Sequence, residues 1–192
     1  MSAPQRVATQ DLQGFDSRRL EAVFNRCFGE AYSTLLLGGA DEPFYRPASD
    51  HGGCHELHYR EDFFASALHE VAHWCIAGSE RRKLIDFGYW YAPDSRDAEQ
   101  QWAFERVEGR PQALEWFFSK ACGFRFQVSL DNFNQDVDST ADSFIPYVYA
   151  EACRWQASGL PDRAQLFFLA LCEEFGTEPT FDSVSFSLAE LG

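Results

Sequence analysis

The sequence predicts an α+β fold, predominantly helical with a small sheet, built around a helix that carries a His-Glu-x-x-His run. Three observations predict it. Apolar residues recur at three- and four-residue steps through DFFASALHEVAHWCIAG and through several later segments, the spacing of a buried helical face. Two short, turn-bounded runs, STLLLGG and the alternating HELHYR, have the form of strands. A chain of 192 residues with 45% hydrophobic residues, including 19 Phe, 7 Tyr and 5 Trp, suits one packed core. A flexible polar lead over 1–14 and a single domain over 15–192 are therefore expected.

The elements follow in order. In FDSRRLEAVFNRCF, Leu20, Val23, Phe24 and Phe28 share one helical face, and Asp16 or Ser17 can cap its start. The strands STLLLGG and HELHYR flank GGADEPFYRPASDHGG, whose glycines and prolines predict a loop. The next helix runs from an acidic cap at Asp62 to Gly78. SERRK is a charged turn, and LIDFGYWYAPDSRD is a loop or short strand, since Gly88, Pro93 and Asp94 oppose a long regular element. DAEQQWAFERVEG and PQALEWFFSKACG are two consecutive helices, the first broken at Gly109 and the second opened by Pro111. DNFNQDVDSTADS is polar and loop-like. FIPYVYAEACRWQASG and PDRAQLFFLALCEEFG complete a helical layer, the latter opening at Pro161 and Asp162.

Composition narrows the function. With 30 acidic against 16 basic residues the net charge is −14, which opposes a phosphate-tracking surface and direct nucleic-acid binding. It suits a cationic ligand, although most such carboxylates serve solubility. The N-terminal MSAPQRVATQDLQGFDS lacks the apolar stretch of a signal peptide, and no run approaches the about 20 apolar residues of a membrane span, so no membrane association and a cytoplasmic location are expected. Cys27, Cys54, Cys75, Cys122, Cys153 and Cys172 are scattered, without the close pairing of a disulfide framework or a cysteine zinc site.

The chemistry centres on His69 and His73. Four residues apart on a helix, their imidazoles lie on one face about one turn apart and can grip one ion without bending the backbone. A carboxylate is the usual third ligand, in zinc hydrolases and in two-histidine, one-carboxylate iron oxygenases alike. Glu105 and Glu108, three apart near the end of the following helix, are the candidates. Glu108 is favoured because it stands at the expected kink before Arg110 and Pro111, with Glu105 as a supporting or competing carboxylate. Glu70 follows the first histidine, where zinc peptidases of this pattern place the residue that polarises the attacking water. His51, His55 and His58 read as structural or exposed. Phe87, Tyr89, Trp90 and Tyr91 suit either a pocket wall or core packing, and Asp86, Asp94 and Asp97 either a cationic substrate or solvent.

The stretch from Ala65 to Trp116, ASALHEVAHWCIAG followed after Ser79 and Glu80 by RRKLIDFGYWYAPDSRDAEQQWAFERVEGRPQALEW, closely resembles the bacterial elongation factor P hydroxylase family. DEPFYRP at Asp41–Pro47 and the length of the helical C-terminal region extend the resemblance over most of the chain. It departs at Ser95, where PDGRD would carry Gly, and at Gly109, where the family tends to a bulkier residue. The resemblance implies oxygen-dependent hydroxylation of a lysine side chain on translation elongation factor P, after that lysine has received a β-lysyl group. It also implies metal ligation by His69, His73 and Glu108. Fe(II) is then the expected metal, with zinc as a non-redox occupant, dioxygen as co-substrate, and an external electron donor that the sequence does not name. Two alternatives stand beside it: a zincin-like metallopeptidase using Glu70, and a non-catalytic helical module in which the histidines only pack.

Overall fold

A computed structural model of the chain describes residues 14–49, 52–88, 98–129, 137–178 and 184–191, with backbone alone over 98–105 and 137–142. The expected lead over 1–14, and His51, Tyr89, Trp90, Tyr91, Asp94, Ser95 and Asp97, lie outside the described residues apart from Gly14.

Helix α1 (Ser17–Phe24) starts at Asp16, whose carboxylate accepts the Arg18 N–H at 3.0 Å, and a π-helical turn extends it over Asn25–Gly29. Leu20, Val23, Phe24 and Phe28 are fully buried, as one helical face requires. Asn25 then accepts the Leu36 N–H at 3.0 Å, tying the helix end to strand β1 (Thr34–Ala40). Strand β3 (His55–Arg60) runs parallel to β1 with Leu36 opposite Leu57. Strand β2 (Phe44–Arg46) pairs antiparallel with β3, placing Phe44 opposite His58, for a sheet order of β1-β3-β2. The segment expected to be loop thus contains a strand. Only three residues long and ended by Pro47, β2 has too little periodicity to register in sequence.

Helix α2 (Phe64–Ile76) is apolar around most of its circumference, and Phe64, Ala67, Leu68, Val71, Ala72 and Trp74 are buried. Its N-cap is Phe63 rather than the expected Asp62, and no side chain caps it. Its C-terminal carbonyls are satisfied from other elements: Arg163 donates to the Trp74 and Cys75 carbonyls at 3.1 and 3.0 Å, and Arg82 to Ala77 at 2.6 Å. A 3-10 turn over Arg81–Lys83 leads to a second at Ile85–Gly88, where Asp86 and Phe87 both take left-handed backbone angles. Asp86 accepts the Tyr45 N–H at 2.7 Å, and the Phe87 ring stacks on Tyr45 with centroids 4.4 Å apart. These contacts offset a backbone conformation that costs an L-residue about 1–2 kcal/mol.

Helix α3 (Ala98–Cys122) is continuous, where two helices were expected. Gly109 is buried against α4 (Val137–Ser158), and a methyl group on it would overlap the Tyr147 ring. The glycine therefore marks a close helix crossing, not a break. Pro111 is held within the helix by a flank buried from Gln112 through Ser119. Arg110 of the same turn pairs across to the buried Glu151 of α4, which also pairs with Arg154 of its own helix. Helix α4 begins inside the segment read as a polar loop. Helix α5 (Asp162–Phe175) follows Pro161 and ends at Gly176, whose left-handed conformation closes it.

Helix α2 contacts both β3 and α3, and α3 also packs on α4 and α5, so one core joins the sheet to the helices. Among the described residues no helix is long and apolar enough to cross a membrane.

Candidate metal centre

On the apolar α2, His69, Glu70 and His73 are the acid and imidazole groups, and α3 approaches along that face. Their helical spacing turns the His69 and His73 rings into contact, with centroids 4.7 Å apart and planes at 75°. The two Nε2 atoms face each other at 3.0 Å. Glu108, from α3, places Oε2 3.3 Å from His69 Nε2 and 3.4 Å from His73 Nε2. His73 and Glu108 are buried, at 9% and 6% exposure.

Two lone pairs that face one another repel unless a proton or cation lies between them. The donor set fits an ion: ligand bonds of about 2.0–2.2 Å place two ligands of one ion about 3.0–3.5 Å apart at octahedral to tetrahedral angles. The three separations fall in that range, and among the described residues His69, His73 and Glu108 form the group whose donor atoms could share an ion. Two imidazole nitrogens and one carboxylate would hold such an ion, a set that would leave further positions for other ligands.

Electrostatics supports the same grouping. Burial disfavours charge on His69, but hydrogen bonds and the fields of Glu108 and Glu115 outweigh it and hold the imidazole pKa well above its ordinary value. Burial likewise pushes Glu108 up, yet the charge of His73 and hydrogen bonds from both histidines keep it well below the usual carboxylate range. Glu70 is half-buried on α2, and desolvation raises its pKa against the opposing pull of His73 and His69.

Glu115 carries no expectation from sequence. It is buried on α3, and its Oε2 lies 2.9 Å from His69 Nδ1. Its position seven residues after Glu108 puts it two turns along the same helix face, the one signal that could have flagged it. Desolvation raises its pKa although the hydrogen bond from His69 acts the other way. Glu105 lies three residues before Glu108 on α3, and its side chain is outside the described residues.

The remaining sequence candidates sit elsewhere. His55 Nδ1 accepts the Ala48 N–H at 3.0 Å, and its ring stacks on Tyr45. His58 stacks on Phe44 with centroids 4.1 Å apart and bonds Glu56 at 3.0 Å. Phe87 is core, and Asp86 anchors the backbone of β2.

Comparison with known proteins agrees with this chemistry. The protein-family model described as elongation factor P hydroxylase matches residues 23–186. The elongation factor P lysine hydroxylase of Haemophilus influenzae is 46% identical over 167 residues, spanning 87% of this chain and 93% of the relative. Neither match supports the metallopeptidase alternative. On both grounds, the chain belongs to the elongation factor P hydroxylase family.

Proposed function

We propose that this protein is a metal-dependent monooxygenase that hydroxylates a lysine side chain of translation elongation factor P, one already extended by a β-lysyl group. The observation that carries the reading is the convergence of His69 Nε2, His73 Nε2 and Glu108 Oε2 within reach of one ion, in a member of this family. Fe(II) is the proposed ion: held by two histidines and a carboxylate, it keeps positions open for dioxygen and supplies the redox change that zinc lacks.

The protein's own groups have separate tasks. His69 and His73 present Nε2 from consecutive turns of one buried helix, so their spacing is fixed before any ligand arrives. Glu108 contributes the negative charge that partly neutralises a bound dication, from a second helix locked to its neighbour one and two residues later at Gly109 and Arg110. Glu70 is the proposed proton-handling group, since burial already raises its pKa. Glu105 remains a proposed supporting carboxylate.

Inserting one oxygen atom into a C–H bond while the other leaves as water consumes two electrons and two protons, so an external donor is part of the proposal. The substrate side chain is cationic and the chain carries a net charge of −14, a favourable long-range match. The reaction is placed in the cytoplasm, on a protein and not on nucleic acid or membrane, within one metalloenzyme domain.

The test is incubation of β-lysyl-modified elongation factor P with iron-reconstituted protein, dioxygen and a series of reductants. The expected product is intact substrate heavier by one oxygen atom. Substrate that stays intact and unoxidised with every reductant would sink the proposal, and cleaved substrate would favour water activation by Glu70 instead.

A further inference from the structure

We infer that Glu115 is a positioning residue for the metal centre, whose carboxylate holds the His69 imidazole in the tautomer and orientation that free Nε2 for an ion. The inference rests on the reading that His69 is a ligand. His69 is bracketed at both ring nitrogens: Nε2 faces His73 and Glu108 at 3.0 and 3.3 Å, and Nδ1 faces Glu115 Oε2 at 2.9 Å. A neutral imidazole carries one proton, and a ligating nitrogen must lack it. An ionised carboxylate can only accept, so Glu115 is satisfied by a proton on Nδ1, and that choice bares the Nε2 lone pair.

Packing makes the arrangement rigid. The Glu115 side chain is 8% exposed, and a carboxylate withdrawn from water needs a donor close by. Glu108 and Glu115 stand seven residues, nearly two full turns, apart on α3. One rigid element therefore supplies the carboxylate beside Nε2 and the carboxylate beside Nδ1. A shift of α3 along α2 would disturb both contacts together. The negative charge on Glu115 also makes Nε2 more basic and tightens its bond to a cation.

Glu115→Gln keeps the size of the side chain but removes its charge and its selection of tautomer, since an amide can either accept from Nδ1 or donate to it. Chelator competition with Co²⁺ or Zn²⁺ alone should show affinity about 10–100-fold weaker than wild type. The visible spectrum of the Co²⁺ form should change, while circular dichroism of the metal-free protein stays as in wild type. In zinc-loaded wild type, nuclear magnetic resonance should find the His69 proton on Nδ1, hydrogen-bonded and slow to exchange; in Glu115→Gln it should exchange faster. Metal affinity within about twofold of wild type, or a wild-type His69 with no Nδ1 proton, would overturn the inference. The wild-type measurement decides the matter even if the variant does not fold. His69→Ala separates the two layers of the proposal. Unchanged metal binding in it defeats the ligand reading, whereas loss there with an unaffected Glu115→Gln defeats only the role of Glu115.

Discussion

On α2, His69 and His73 lie four residues apart and turn their Nε2 atoms toward each other at 3.0 Å; on β3, His55 and His58 lie three apart and reach separate partners. The side chains are chemically identical, and the backbone decides their use. A helix returns to the same face after about four residues, whereas a strand sends residues an odd number apart to opposite faces. The strand histidines accordingly stack on Phe44 and Tyr45, adjacent residues of β2 that also point to opposite faces. The helix pair is met by a carboxylate at every facing nitrogen of His69, while the strand pair is met by a backbone N–H at His55 and a half-exposed Glu56 at His58.

Substitutions at the two pairs sharpen this contrast. His69→Ala, His73→Ala or Glu108→Ala should abolish bound metal in elemental analysis after iron reconstitution, a loss beyond the about 10–100-fold typical of removing a group that only supports a ligand. Metal retained at wild-type level in any of the three would break the distinction. Gly109→Ala keeps every candidate ligand yet forces the Tyr147 ring away from α3, at a cost of about 1–3 kcal/mol measurable in denaturant unfolding. It should also weaken metal binding, because Glu108 is its chain neighbour.

The pair on α2 should respond to pH through the ion. In the metal-free protein, the raised pKa of His69 gives stability that is present below its ordinary value of 6.5 and lost as pH rises through the folded-state pKa. The lowered pKa of Glu108 gives stability present above 4.5 and lost as pH falls through its folded value. The metal-free cluster thus loses support on the alkaline side. A cation takes the place of the His69 proton, so the rise in melting temperature on adding Zn²⁺ should be larger at about pH 8 than at about pH 6. The smallest effects belong to β3: His55→Ala and His58→Gln should leave metal content unchanged and cost about 1 kcal/mol of stability or less, read from the same unfolding curves.

Part of this was legible without a structure. The face formed by Leu20, Val23, Phe24 and Phe28 and the alternating HELHYR announce themselves by period, STLLLGG by its short turn-bounded form, and each is found where expected. Gly109 misled because glycine lowers helix propensity everywhere, whereas here its missing side chain admits a ring from a distant helix. Asp62 misled similarly: the helix starts one residue later than a capping aspartate there would require, and takes Phe63 at its N-cap. Glu115 escaped notice because a single glutamate in a helical run looks solvated until the partner helix is known.

The sequence by itself determined that His69 and His73 share a face, because that follows from helical geometry within five consecutive residues. It also carried the family, through motifs concentrated between Ala65 and Trp116, and the family match extends over residues 23–186. Which carboxylates meet those histidines was decided only by the tertiary structure. Glu108 and Glu115 lie 39 and 46 residues from His69 along the chain, and their approach depends on the packing of α3 between α2 and α4. Local periodicity specifies which way a side chain faces, but the group opposite it is chosen by how whole helices pack.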